Sequence, residues 1–140
     1  MAYLIGTILA LGAGLFATGV GLDRDRAFYP TVLVVVGSYY VLFAVMGGSM
    51  RALALDGVGL LIFAAIAVAG FRRDLRIVAA GLVGHGLLDI VHAPLVANPG
   101  VPAWWPAWCM SYDVVAGVVL FWLLARRPAL ASETRHGARP

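Results

Sequence analysis

Residues 77–97 read IVAAGLVGHGLLDIVHAPLVA, a run whose ionisable members are His85, Asp89 and His92 alone. A helix of this length rises about 30 Å, the thickness of a bilayer's hydrocarbon core. The run shows no alternation of period two, so a membrane barrel is excluded and a transmembrane helix is predicted. Outward from it, four more apolar runs follow the same rule, at 2–22, 28–48, 53–71 and 107–125. The five runs take 101 of the 140 residues and leave short connections and a polar tail over 126–140. The expected fold is all-α: a polytopic bundle of five transmembrane helices over 1–125, with no extramembrane domain.

Composition agrees with that reading. Hydrophobic residues make up 62% of the chain and charged residues 12%, against about 25% charged in a soluble domain. Lys and Gln are absent, and Asn98 is the only Asn. The first positively charged side chain is Arg24, behind some twenty apolar residues. A cleaved signal peptide carries its positive charge before the apolar run, so the first run is expected to stay as a helix.

The net charge of +3 comes from Arg, and the positions of the arginines matter more than their number. With five spans, Arg24, Arg26, Arg72, Arg73, Arg76, Arg126, Arg127, Arg135 and Arg139 fall on one side, and Arg51 falls alone on the other. The positive-inside bias then predicts an external N-terminus, an external loop 98–106 and a cytoplasmic C-terminus in a bacterial inner membrane. Basicity here reports topology, so a nucleic-acid role is not expected.

Within the fourth run, His85, Asp89 and His92 share one face about 60° wide at the helical repeat, and Gly81, Gly84 and Gly86 flank the first of them. Ionisable groups inside a membrane are costly and face a bundle interior, where they pair or do chemistry. The second run brings Ser38, Tyr39 and Tyr40, and the fifth opens with Cys109, Met110, Ser111, Tyr112 and Asp113. Counted down from the outer loop at 1.5 Å per residue, His92 lies about 8 Å deep, Asp113 about 9 Å, Asp89 about 12 Å and the two tyrosines about 12–14 Å. Asp56 and Thr7 lie nearer the same surface. The expectation is one outward-facing pocket built from Asp89, His92 and Asp113, with His85, Tyr39 and Tyr112 in support.

Three chemistries fit those residues. Asp89, His92 and Asp113 can hold a divalent transition metal such as Zn, Fe or Cu, since imidazole with carboxylate suits these ions. His85 and His92 stand about 10.5 Å apart along the axis, so one ion is not expected to take both. Alternatively, the groups act as metal-free acid and base pairs, or they lock helices together through hydrogen bonds. No HExxH, phosphate loop or CxxC motif points elsewhere, and His136 sits in the polar tail.

Other features read as membrane architecture. Gly6, Ala10 and Gly14, with Ala13, Ala17 and Gly21 beside them, form a small-residue stripe that suits close packing within the bundle or a dimer face. Asp23, Arg24, Asp25 and Arg26 suggest an ion-paired turn before Phe28, Tyr29 and Pro30. The stretch NPGVPAWWPAW at 98–108 suggests a rigid interfacial cap. Cys109 is the sole cysteine, which leaves burial as a small apolar residue or an intermolecular contact. No internal repeat is visible, which disfavours a transporter.

The segments LDRDRAFYPTVL (22–33), YYVLFAVM (39–46), GHGLLDIVH (84–92), PGVPAWWP (99–106) and CMSYD (109–113) together resemble a family of small bacterial integral membrane proteins of unknown function. The resemblance runs over about residues 2–125. Members often carry a second His directly after the position of His92, where this chain has Ala93. The resemblance implies the five-helix architecture and brings no activity. A weaker likeness is to ceramidase-like membrane hydrolases, whose zinc sites also draw His and Asp from neighbouring helices but use more spans and a third His. Two functions are therefore expected to compete. One is a pocket binding a metal or a small lipophilic ligand, with catalysis open. The other is an accessory subunit that docks a larger membrane complex or a second copy through its small-residue faces.

Overall fold

The computed structural model describes residues 1–24 and 26–126. Five helices follow one another: α1 (Ala2–Val20), α2 (Phe28–Met46), α3 (Met50–Arg72), α4 (Leu75–Leu95) and α5 (Trp105–Arg126). All five are long and apolar enough to cross a membrane. The tail with Arg127, Arg135, His136 and Arg139, and Asp25 of the α1–α2 turn, lie outside the described residues.

Helix ends differ by up to three residues from those read off hydropathy: polar caps start α3 and α4 ahead of their apolar part, and α1, α2 and α4 stop two residues short. Ser49 caps α3, its hydroxyl accepting from the Ala52 N–H at 3.2 Å, and Asp74 caps α4, accepting from the Arg76 N–H at 2.8 Å. These side chains satisfy first-turn amides that have no intrahelical partner. Pro30 sits in the first turn of α2, where a missing N–H costs nothing. At the other end of α1, Gly21 takes a left-handed φ of 82°, and Leu22 N–H reaches back to the Ala17 carbonyl at 2.8 Å, a glycine-terminated stop. Pro94 lies in the last turn of α4, which ends at Leu95 with Val96 extended.

The antiparallel path gathers Met1, the α2–α3 turn and the α4–α5 connection at one end, hereafter the loop end. Arg24, Arg26, Arg72, Arg73, Arg76 and Arg126 gather at the opposite, arginine end. Helix α4 is central, packing against α5, α3 and α2, while α1 packs on α5 and α2 on α3. Small residues permit these approaches. The α1 stripe Gly6, Ala10, Gly14 and Ala17 is buried, and a Cβ at Gly6 would overlap the Trp108 carbonyl of α5. A Cβ at Gly117 would come within 2.8 Å of the Ala79 carbonyl of α4. Without a hydrophobic drive between helices in lipid, such close backbone contact is a main source of association.

Local contacts hold both ends of the bundle; the ion pairing expected of the α1–α2 turn involves Asp25, which lies outside the described residues. In the α1–α2 turn, Asp23 accepts from the Thr18 hydroxyl at 3.0 Å, and the Arg26 guanidinium donates to the Phe71 carbonyl at 3.3 Å. At the loop end, Trp105 is buried in α5, against Tyr39, Phe43 and Trp108 at 4.7, 4.9 and 4.8 Å between ring centroids. Trp104 remains exposed. One aromatic of the cap thus fills the bundle core, because α5 begins two residues earlier than its hydropathy suggests.

Candidate functional site

The polar stripe of α4 divides between two sites. The deeper one begins with His85 and Asp89, one turn apart. His85 Nδ1 lies 2.7 Å from Asp113 Oδ2 on α5 and 3.9 Å from Asp89 Oδ2. The Tyr40 hydroxyl of α2 donates to Asp89 Oδ1 at 2.6 Å. The Cys109 thiol, one turn before Asp113, donates to Asp113 Oδ2 at 3.4 Å. Phe63 of α3 closes the side, its ring edge-on to His85 at 4.8 Å. None of His85, Asp89, Cys109 and Asp113 is more than 2% exposed.

This cluster is electrostatically incomplete. Two carboxylates share one imidazole, and the second oxygen of each, Asp89 Oδ2 and Asp113 Oδ1, is enclosed without a hydrogen-bond partner. A carboxylate oxygen left bare in a low-dielectric interior costs free energy that water would otherwise offset. One ligand atom from each of His85, Asp89, Cys109 and Asp113 can be chosen so that all four lie within 4.8 Å of one another, a group able to hold a metal ion.

The second site lies toward the loop end. His92 Nε2 is 2.8 Å from Asp56 Oδ1 at the start of α3. Asn98 donates from its amide to Asp56 Oδ2 at 2.8 Å and to the Tyr40 carbonyl at 3.0 Å. Its own oxygen accepts from the Gly100 N–H at 3.1 Å. The Tyr40 ring stacks on His92 at 3.7 Å and 23°. Tyr40 therefore joins both sites, its face on His92 and its hydroxyl on Asp89.

Of the residues expected to form one pocket, Asp89 and Asp113 come together, and His92 turns instead to Asp56. His85 takes the place expected for His92. The reason is the position of the helix ends. Measured from Leu95 and Trp105, Asp89 lies about 9 Å deep, Asp113 about 12 Å and His85 about 15 Å, while His92 lies only about 4–5 Å deep. Asp113 thus falls between His85 and Asp89. Tyr39 stacks on Phe43 and Trp105, and Tyr112 on Trp108, so both serve the aromatic layer. Tyr40, Cys109, Asp56 and Asn98 do the polar work. Cys109 carried a usable signal, being four residues before Asp113 and hence on the same helix face. Tyr40 carried none that separated it from Tyr39.

Comparison of the chain with protein-family models, with curated proteins and with solved structures finds no match.

Proposed function

We propose that this protein binds a divalent transition metal ion inside the membrane, on His85, Asp89, Cys109 and Asp113. The observation that carries the reading is the pair of partnerless carboxylate oxygens within the four-residue cluster. A dication lowers the charge of the cluster from −2 for two bare carboxylates to −1 with Cys109 as thiolate, and a low-dielectric interior favours the smaller charge. Nitrogen, sulfur and oxygen donors suit zinc, whose bonds of about 2.0–2.3 Å in a tetrahedron set donors about 3.5 Å apart. The four donor atoms lie within 4.8 Å of one another, so the widest pair closes by about 1.3 Å when all four reach one ion. Four protein donors and near-complete burial match a closed site that fastens α4 to α5, rather than one holding a position open for substrate. In the same reading the chain sits in a bacterial inner membrane with its arginine end in the cytoplasm, as the nine-to-one distribution of Arg supports.

The experiment is elemental analysis of protein purified in detergent and dialysed against a weak chelator, with and without added Zn2+. About one zinc per chain is expected, falling at least tenfold in Asp113→Asn. Cobalt loading should give a thiolate-to-metal absorption that Cys109→Ser abolishes. Less than a tenth of an equivalent in the folded wild-type protein, after loading, would overturn the metal reading. It would favour a proton shared between the carboxylates, with the cluster acting as a fastener in an accessory subunit.

A further inference from the structure

Helices α3 and α4 flank a lateral groove of about 740 Å3, within the range of cavities that hold small ligands. Its α4 wall runs from Ile77 to Val96, about 28 Å of helical rise, so it crosses nearly the whole hydrocarbon layer. Ile62, Ile66, Gly81 and Leu88 give it an apolar lining, and Asp56 and His92 supply its polar groups. A second cavity of about 590 Å3 lies beneath the loop, lined by Ser49, Asn98 and Pro102 among others. His92 and Val96 line both. An apolar track wide enough for an alkyl chain thus ends at a buried histidine that also borders a more polar chamber.

The head-group chemistry follows from the charges. Among the described residues, Asp56 and His92 are the only ionisable ones lining either cavity, and they pair with one another. No described Arg lines either cavity to neutralise a phosphate or a carboxylate. The hydrogen bond to Asp56 fixes His92 Nε2 as the donor nitrogen and leaves Nδ1 as the ring's acceptor. A hydroxyl donating to Nδ1 satisfies it without bringing charge into the membrane. We infer that the α3–α4 groove and the chamber above it bind a neutral single-chain amphiphile with a hydroxyl head group, of the class of long-chain alcohols and monoacylglycerols, with His92 as its polar anchor.

The fold supplies its own plug for testing this. Gly59 lines the groove, and a Cβ there meets no atom within 4 Å. Gly59→Leu therefore starts its side chain from open space on the groove wall and narrows the track, and Leu is also the better helix former. Native mass spectrometry of detergent-released protein is titrated with monoolein, with oleate and dioleoylphosphatidylglycerol as comparators. One monoolein per chain is expected, at least tenfold tighter than either anionic probe. Gly59→Leu and His92→Phe should each weaken it at least tenfold, while Gly59→Leu keeps the wild-type melting temperature and metal content. Binding of all three probes within threefold of one another would overturn the inference, as would tighter binding of an anionic probe. So would Gly59→Leu retaining monoolein within threefold. The metal reading stands or falls separately, since Gly59 does not touch the deep cluster.

Discussion

His85 and His92 stand two turns apart on one face of one helix, and each pairs with an aspartate from a neighbouring helix at 2.7–2.8 Å. Their surroundings differ in every other respect. His85 is enclosed with two carboxylates and a thiol, and two carboxylate oxygens there lack partners. The carboxylate facing His92 has both oxygens occupied, by His92 and by Asn98, and the imidazole borders two cavities. The same two residue types thus make a charge-deficient, sealed cluster at one depth and a satisfied, buried pair bordering cavities at another. Residue type alone does not assign chemistry. What decides is the ratio of donors to acceptors around each pair and whether space adjoins it.

Three substitutions sharpen or break this contrast. The largest effect is expected for His85→Leu, which removes the imidazole shared by Asp89 and Asp113. Removing one partner of a buried ionic group costs about 3–5 kcal/mol, so the variant should lose cooperative melting in detergent. A fall below about 1 kcal/mol would mean that the carboxylates already share a proton. Tyr40→Phe comes next. It keeps the ring on His92 and removes the hydroxyl from Asp89, for an expected loss of about 1–2 kcal/mol together with weaker metal retention. An unchanged melting temperature and metal content would show that Tyr40 does not couple the two sites. The smallest effect is expected for Asp56→Asn, whose oxygen can still accept from Asn98 and whose amide can donate to His92 Nε2 once the imidazole takes its other tautomer. A loss of about 0.5 kcal/mol and full metal content are expected from melting and elemental analysis. Loss of metal in this variant would break the separation of the two sites.

Much of this architecture was legible in the sequence. Apolar run length specifies five helices, because lipid offers an unpaired backbone no alternative. The shared face of His85, Asp89 and His92 also follows from helical periodicity. The partners did not follow, for two physical reasons. Residues on one face but about 10.5 Å apart along the axis meet different neighbours where helices diverge, and hydropathy does not say whether α3 or α5 stands opposite. Depth was also counted from apolar boundaries, whereas Trp105 and Pro106 already belong to α5. That shift, together with the end of α4 at Leu95 rather than Ala97, exchanges His92 for His85 as the partner of Asp113. Tyr39 and Tyr40 differ by one position and about 100° of rotation. Only the packing of α2 tells which of them reaches the polar layer.

Cys109 is the single thiol of the chain and has no exposed surface, lying on α5 where it meets α4. A reagent can reach it only when those helices separate, so each alkylation event records one opening of the bundle. The protein consequently carries an internal clock for its own breathing in an intact membrane, read by mass spectrometry without an introduced label. An ion held between the two helices would slow that clock in proportion to how tightly it is held.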